Sequence, residues 1–244
     1  MDLYFLGRGA AFNPKEGNNS AYFIENNKLF LIDCGESIYE RIELNGILDN
    51  IDEINVLITH THSDHIGSIG SLIMHCFYKL HKPLNIIIPM NAKYLTKIEN
   101  IIDGFDCDKE MYNFVNEKEY DNKYESFKNI RFIETKHRGS LACYSILFNT
   151  ENGLIYYSGD TCEIENLKKL IQNGEQIDKI YIDTTTDNYP NNVHFNIELL
   201  NKEIKEELKP HTYCMHLNND YCIERAKELG FNVVEITKGK KLSK

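Results

Sequence analysis

Three imidazoles and a carboxylate fall within six residues at His60, His62, Asp64 and His65, in the stretch Thr59-His60-Thr61-His62-Ser63-Asp64-His65. Imidazole nitrogen and carboxylate oxygen suit Zn²⁺, and Mn²⁺ or Fe can use the same ligands. In an extended segment, residues two apart point to the same side, so His60 and His62 can grip one ion together. Asp64 and His65 would open a following helix and turn toward a second ion beside the first. The bland alternative is a polar loop that gathers histidines by accident, and a cluster this dense at this place argues against it.

The flanking segments can hold such a turn still. Ile54–Ile58 is a short apolar run rich in β-branched residues, which predicts a buried strand. Ile66, Ile69, Ile73, Phe77 and Leu80 form an apolar stripe at helical spacing, which predicts a helix over Ile66–Leu80. The cluster therefore sits at a strand-to-helix turn on the carboxyl edge of a sheet, where α/β proteins build their sites. Further strands are expected at Leu3–Leu6, Asn85–Pro89, Ile130–Glu134, Tyr144–Phe148, Leu154–Ser158, Ile180–Asp183, Tyr213–Met215 and Asn232–Ile236. A hairpin through Asn26-Asn27 joins Ala21–Glu25 to Leu29–Asp33. Helices are expected over Ser37–Leu48, Glu165–Gln172, Ile197–Leu208 and Cys222–Leu229, the last closed by Gly230.

Between Glu99 and Glu125 acidic side chains outnumber basic ones nine to three. Segment 91–128 is expected to form short helices and loops over one edge, as a lid beside the site. The basic tail Lys238–Lys244 is expected to fray. Gly7-Arg8-Gly9 lacks the third glycine that would open a helix in a dinucleotide-binding loop. His75 and His81 lie on or just past a helix and are assigned structural or surface roles. The order of elements suits helices packed on both sides of a sheeted core, in one α/β domain spanning 1–244.

Composition narrows the function classes. The 244 residues carry 37 acidic and 27 basic side chains, a net charge of −10. Nonspecific nucleic-acid binding draws its affinity from Lys and Arg contacts, so a long polyanion is a poor partner and a small substrate a better one. No apolar run reaches the length of a membrane span, and no basic-then-apolar leader is seen, so a cytoplasmic protein is expected. The seven scattered cysteines include no CxxC pair, and are expected as free thiols in a reducing compartment.

One turn cannot close a metal centre, so the missing ligands are expected at later strand ends. His137 follows one strand in Thr-Lys-His-Arg-Gly, Asp160 ends another in Tyr-Ser-Gly-Asp-Thr, and His216 follows Tyr-Cys-Met. With the HxHxDH turn, these motifs resemble the metallo-β-lactamase superfamily over nearly the whole chain. The resemblance implies a four-layer αββα sandwich with two divalent metal ions at one edge. It implies His60, His62 and His137 on one ion, Asp64, His65 and His216 on the other, and Asp160 bridging both.

Leu-Gly-Arg-Gly-Ala-Ala-Phe, Gly17-Asn18-Asn19-Ser20 and Leu31-Ile32-Asp33-Cys34-Gly35 are similar to the tRNase Z and cyclic-phosphodiesterase branch. That branch also carries an acid and a histidine between the bridging Asp and the last His, positions matched here by Asp183 and His194. The resemblance implies a phosphodiesterase for a small, cyclic or nucleotide-type diester, using a metal-bridging hydroxide. Asp64 or Asp160 would hold the nucleophile's remaining proton, and His194, oriented by Asp183, would protonate the leaving alkoxide. The arm that grips tRNA in tRNase Z is missing, which counts against tRNA processing. Hydrolysis of a thioester, lactone or other carboxylic ester on the same metals is the competing expectation, and a non-catalytic metal sensor or redox protein a third. A homodimer is compatible with all of these.

Overall fold

Among the described residues, runs of aliphatic and aromatic residues become twelve strands, which divide into two mixed sheets of six. The computed structural model describes residues 1–89, 91–139 and 141–237. The first sheet takes its strands in chain order: β1 (Tyr4–Gly7), β2 (Ser20–Glu25), β3 (Lys28–Ile32), β4 (Glu53–Leu57), β5 (Leu84–Ile88) and β6 (Tyr112–Asn116). The second does the same with β7 (Asn129–Thr135), β8 (Cys143–Thr150), β9 (Gly153–Tyr157), β10 (Ile177–Asp183), β11 (Thr212–Met215) and β12 (Asn232–Val233). Strands β1 to β3 are antiparallel and β3 to β6 parallel. Strands β7 to β9 are likewise antiparallel and β9 to β12 parallel. The chain thus writes one topology twice, a meander followed by three parallel crossovers.

The predicted β2–β3 hairpin is present. Asn26 and Asn27 both take positive φ, 50° and 58°, as a two-residue turn of the right twist demands and asparagine tolerates. Helices α1 (Ile38–Leu44), α2 (Ser63–Ile66), α3 (Ile69–Lys79) and α4 (Ala92–Asp103) belong to the first half, and α5 (Glu165–Gln172), α6 (Ile197–Glu203) and α7 (Asp220–Glu228) to the second.

Three apolar clusters define the layers. Leu29, Leu31, Val56 and Ile86 face Ile38, Ile42, Leu72, Ile73 and Ile98 of the first helical layer. The opposite sheet face supplies Phe23, Phe30, Leu57 and Ile87, which meet Phe148, Ile155, Tyr157 and Met215 of the second sheet. Tyr156, Ile180 and Ile182 then pack on Leu167, Leu200 and Ala226. This is the expected αββα arrangement, with alternate residues of each strand serving the two adjacent layers. Phe23 stacks on Phe30 at 4.8 Å, and Phe127 and Phe148 meet Phe23 edge-on, so aromatic rings fill much of the space between sheets.

Several expectations need correction, among them the helix predicted over Ile197–Leu208, which ends at Glu203 where Ile204 turns extended. The helix predicted over Ile66–Leu80 is two helices, α2 and α3, broken at Gly67-Ser68. A side chain at Gly67 would run into Glu36, and Ser68 turns its hydroxyl to the Gly35 carbonyl at 2.5 Å. Segment 91–128 does form short helices and loops at one edge, but it also carries a strand. It is built in, with α4 in the outer layer and β6 as the edge strand beside β5. The basic tail Lys238–Lys244 lies outside the described residues.

Candidate metal centre

The donors expected from sequence converge on one edge of the sandwich, each just past or at a strand end. His60 and His62 follow β4, His137 follows β7, Asp160 follows β9, Asp183 ends β10 and His216 follows β11. The turn before Asp160 needs glycine. Gly159 has φ +60°, and the Tyr144 carbonyl oxygen stands 2.5 Å from where a Cβ would project. His216 itself takes φ +55° and Asp33 φ +63°, a region that costs most residues energy and that Asp and His enter more readily.

Three groups of potential ligand atoms result: His60, His62, His137 and Asp160; Asp64, His65, Asp160 and His216; and Asp160, Asp183, His194 and His216, which shares two members with the second. His60 Nε2 lies 3.1 Å from His62 Nδ1, which lies 3.3 Å from His137 Nε2. Asp160 Oδ2 stands 3.7 Å from His60 and 3.9 Å from His137. In the second group, His65 Nε2 is 3.3 Å from Asp64 Oδ2 and 3.3 Å from Asp160 Oδ1. His216 Nε2 is 3.3 Å from Asp64 Oδ2 and 3.4 Å from Asp160 Oδ2. Ligands about 2.0–2.1 Å from a tetrahedral ion lie about 3.3–3.4 Å from one another. The spacings of the second group fall at that edge length, those of Asp160 to His60 and His137 are longer by about half an ångström, and Asp160 borders both the first group and the second.

The buried atoms are consistent with cations at these two points. His65 Nε2 and Asp160 Oδ1 are sealed from solvent, 3.3 Å apart but without a well-directed hydrogen bond to each other or to any other group. A buried polar atom left unpaired costs about 1–3 kcal/mol, and a divalent ion would satisfy both at once. Nitrogen and carboxylate oxygen without thiolate are the donor set of Zn²⁺ and of harder divalent ions.

An orienting layer stands behind the donors. Asp33, fully buried, places Oδ2 2.8 Å from His65 Nδ1, and accepts hydrogen bonds from the Thr59 backbone at 2.8 Å and hydroxyl at 2.7 Å. His137 Nδ1 is 2.8 Å from the Val193 carbonyl. That contact fixes its tautomer and leaves Nε2 as the ligand atom. The His216 backbone N–H donates to Asn19 at 3.3 Å, and its Nδ1 faces Asp183 Oδ1 at 3.3 Å.

Asp183 and His194 come together as the resemblance implied, with Nδ1 of His194 2.8 Å from Oδ2 of Asp183. The carboxylate is buried; the imidazole is 24% exposed and lies 3.9 Å from Asp160. The Thr161 N–H donates to Asp183 at 3.0 Å, and the His194 ring stacks on His216 with centroids 4.8 Å apart. Asp183 therefore hydrogen-bonds the partly exposed His194 and stands beside the last ligand, His216.

The electrostatics divide the same way. Burial pushes His60 well below its ordinary value, with His65 adding to it, and burial also lowers His62 and His137. Neutral imidazoles are what an ion binds. In the second group burial opposes a proton on His65, but Asp160, Asp64 and Asp33 outweigh it and raise that pKa well above normal. His216 is raised to about 10 against its burial, by Asp160 and Asp183. The carboxylates that hold protons on these rings would hold a divalent cation in their place. Burial likewise works against a charged His194, and Asp183 overcomes it, so its pKa is raised.

Asp33 is the residue that sequence reasoning missed as part of the site. Its signal was a carboxylate immediately after a buried strand, one of several such positions. His75 stays outside, 3.1 Å from the Tyr39 hydroxyl, in the structural role expected of it. All seven cysteines are free, as expected, six of them buried.

A family model described as Anti-Pycsar protein Apyc1 matches residues 1–235. An Anti-Pycsar protein Apyc1 of Paenibacillus sp. (strain J14) is 32% identical over 187 residues, 70% of this chain and 72% of that one. Its namesake from Bacillus phage 010DV004 is 36% identical over 107 residues, a match covering 43% of this chain and 40% of the phage protein. Among solved structures, the metallo-β-lactamase fold protein YhfI from Bacillus subtilis superposes with a TM-score of 0.73 at 18% identity, covering 97% of this chain and 96% of its own. The chain belongs to the Anti-Pycsar protein Apyc1 family and has the metallo-β-lactamase fold.

Proposed function

We propose that the chain hydrolyses a small cyclic nucleotide at its phosphodiester bond, on two divalent metal ions held by the donors above, with zinc as the resident metal. Family and fold support a metal-dependent hydrolase of phosphodiesters, and the activity, the substrate, the metal and the residue roles are our assignment. The observation that carries it is the Asp183–His194 pair, 2.8 Å apart and beside both donor groups.

His60, His62 and His137 would hold one ion, Asp64, His65 and His216 the other, with Asp160 between them. When bound, such ions supply a water whose pKa is lowered to about 7 and offset charge developing on the phosphoryl oxygens. The remaining steps belong to the protein. Asp64 or Asp160 would hold the nucleophile's remaining proton by a hydrogen bond. Asp183 accepts from Nδ1–H of His194 and favours its imidazolium form, whose second proton, on Nε2, is the one available to the departing ribose oxygen. An alkoxide leaves poorly without that proton. A thioester or lactone needs no such donor, and a hydrolase of that kind would leave the Asp183–His194 pair without a task.

The assignment is supported further by the net charge of −10, which suits a small substrate better than a long nucleic acid. Among the described residues no helix is long and apolar enough to cross a membrane, and we place the activity in the cytoplasm. The test is turnover of 3′,5′-cyclic nucleotides by purified, zinc-loaded protein, alongside thioester and lactone panels. Cyclic-nucleotide hydrolysis with inert esters is the expected result; the reverse pattern would overturn it.

A further inference from the structure

A cleft of about 660 Å³ opens beside His137 and His194, lined also by Lys136, Arg138, Tyr189 and Leu199. Clefts of about 300–1,000 Å³ are the size that encloses a small ligand. If His194 gives its proton to the departing oxygen, that oxygen and whatever is attached to it must lie on the His194 side of the metal cluster. For a nucleotide, the attached part is the ribose and its base.

Tyr189 stands on this side in an unusual way. It is half exposed, yet the turn that carries it is braced on several sides. Tyr189-Pro190-Asn191-Asn192 closes with the Asn192 N–H on the Tyr189 carbonyl at 3.2 Å, and Asn191 takes φ +62°. Proline followed by a positive-φ residue is the pattern of a type II turn. Asn192 and Asn196 both donate to the Asp187 carbonyl, at 2.8 and 3.0 Å, and the Asp187 N–H is held by the Thr185 hydroxyl at 3.0 Å. The same loop runs on through Val193, which orients His137, to His194 itself. One braced segment therefore places an aromatic ring, a ligand-orienting carbonyl and the partly exposed histidine along one cleft wall.

Resting on the phosphodiesterase assignment above, we propose that Tyr189 is a stacking platform for the nucleobase of the substrate, with the ribose between it and His194. Stacking a base on an aromatic side chain needs only an accessible π-face, which a braced, exposed tyrosine supplies at little cost in lost flexibility. Leu199, also half exposed on the cleft, adds apolar surface. Lys136 and Arg138 bring positive charge for phosphate to a cleft in an acidic chain.

The test uses the zinc-loaded full chain and the variants Tyr189→Ala and Tyr189→Phe. The preference for cyclic AMP over base-free ribose 3′,5′-cyclic phosphate, as a ratio of kcat/KM, should fall roughly 5- to 100-fold in Tyr189→Ala and hold in Tyr189→Phe. Calorimetric binding of AMP and of ribose 5-phosphate supplies a readout independent of turnover. AMP should weaken by a similar factor in Tyr189→Ala while ribose 5-phosphate does not. An unchanged preference, or equal losses with and without the base, would overturn the proposal. Wild-type protein inert toward every diester would refute the phosphodiesterase assignment, and the AMP comparison would still decide whether Tyr189 meets a base.

Discussion

Asp33 Oδ2 lies 2.8 Å from Nδ1 of His65, with both side chains sealed from solvent. A carboxylate behind a ligating histidine fixes the ring and raises its basicity, and losing such a partner lowers metal affinity by about 10–100-fold. Asp33→Asn keeps the shape and tolerates the positive φ, so the fold should survive. We expect its affinity for one ion to fall within that range in a competition titration against a chelator. Unchanged affinity with normal melting would confine Asp33 to a structural role.

Purified protein should carry close to two transition-metal ions per chain by elemental analysis. Asp160 borders both donor groups, so Asp160→Asn should weaken both ions, where His62→Ala should weaken only one. Loss of a single ion from the Asp160 variant would show that it does not bridge.

His194→Ala should slow a diester with an alkyl leaving group by roughly 10²–10⁴-fold, the span of a positioned general acid. An activated aryl leaving group needs little protonation and should lose far less. Asp183→Asn should give a milder form of the same split, with some loss of metal because Asp183 also faces His216 at 3.3 Å. Equal losses on both substrates in single-turnover assays would assign His194 to substrate positioning.

Asn55 is buried in β4 and joins three partners. It donates to the Leu29 carbonyl at 3.3 Å and accepts from Asn85 at 3.1 Å and from the Tyr120 hydroxyl at 2.7 Å. Asn55→Ala strands these groups in the interior and should cost about 2–4 kcal/mol in denaturant unfolding. A change below about 0.5 kcal/mol would mean that the network contributes little net stability.

The same asparagines explain where sequence reading fell short. Strand β6 reads Tyr-Asn-Phe-Val-Asn amid acidic residues, so its polar members suggested a loop. Asn113 in fact donates to Asn85 at 3.2 Å, which donates on to Asn55. The polar side chains run as a ladder across three neighbouring strands, and that is visible only once the strands are paired. The metal donors were legible for the opposite reason, since strand-end position and residue type mark each one locally. Asp33 was obscure because its partners Thr59 and His65 reach it only through the β3–β4 pairing of Ile32 with Leu57. Tyr189 carried a local turn signature, Tyr-Pro-Asn-Asn, but nothing in the chain order placed that turn beside His194.

The doubled topology has a consequence for how remote changes reach the chemistry. Asp64 and His65 hang from the first sheet, and Asp160 and His216 from the second. The separation of those atoms is therefore a gauge of how far apart the two sheets stand. The thickness of that gap is set by the rings of Phe23, Phe30, Phe127 and Phe148. Thinning this stack with a smaller side chain would alter the grip on the ions without touching any ligand, and would do so at both positions together.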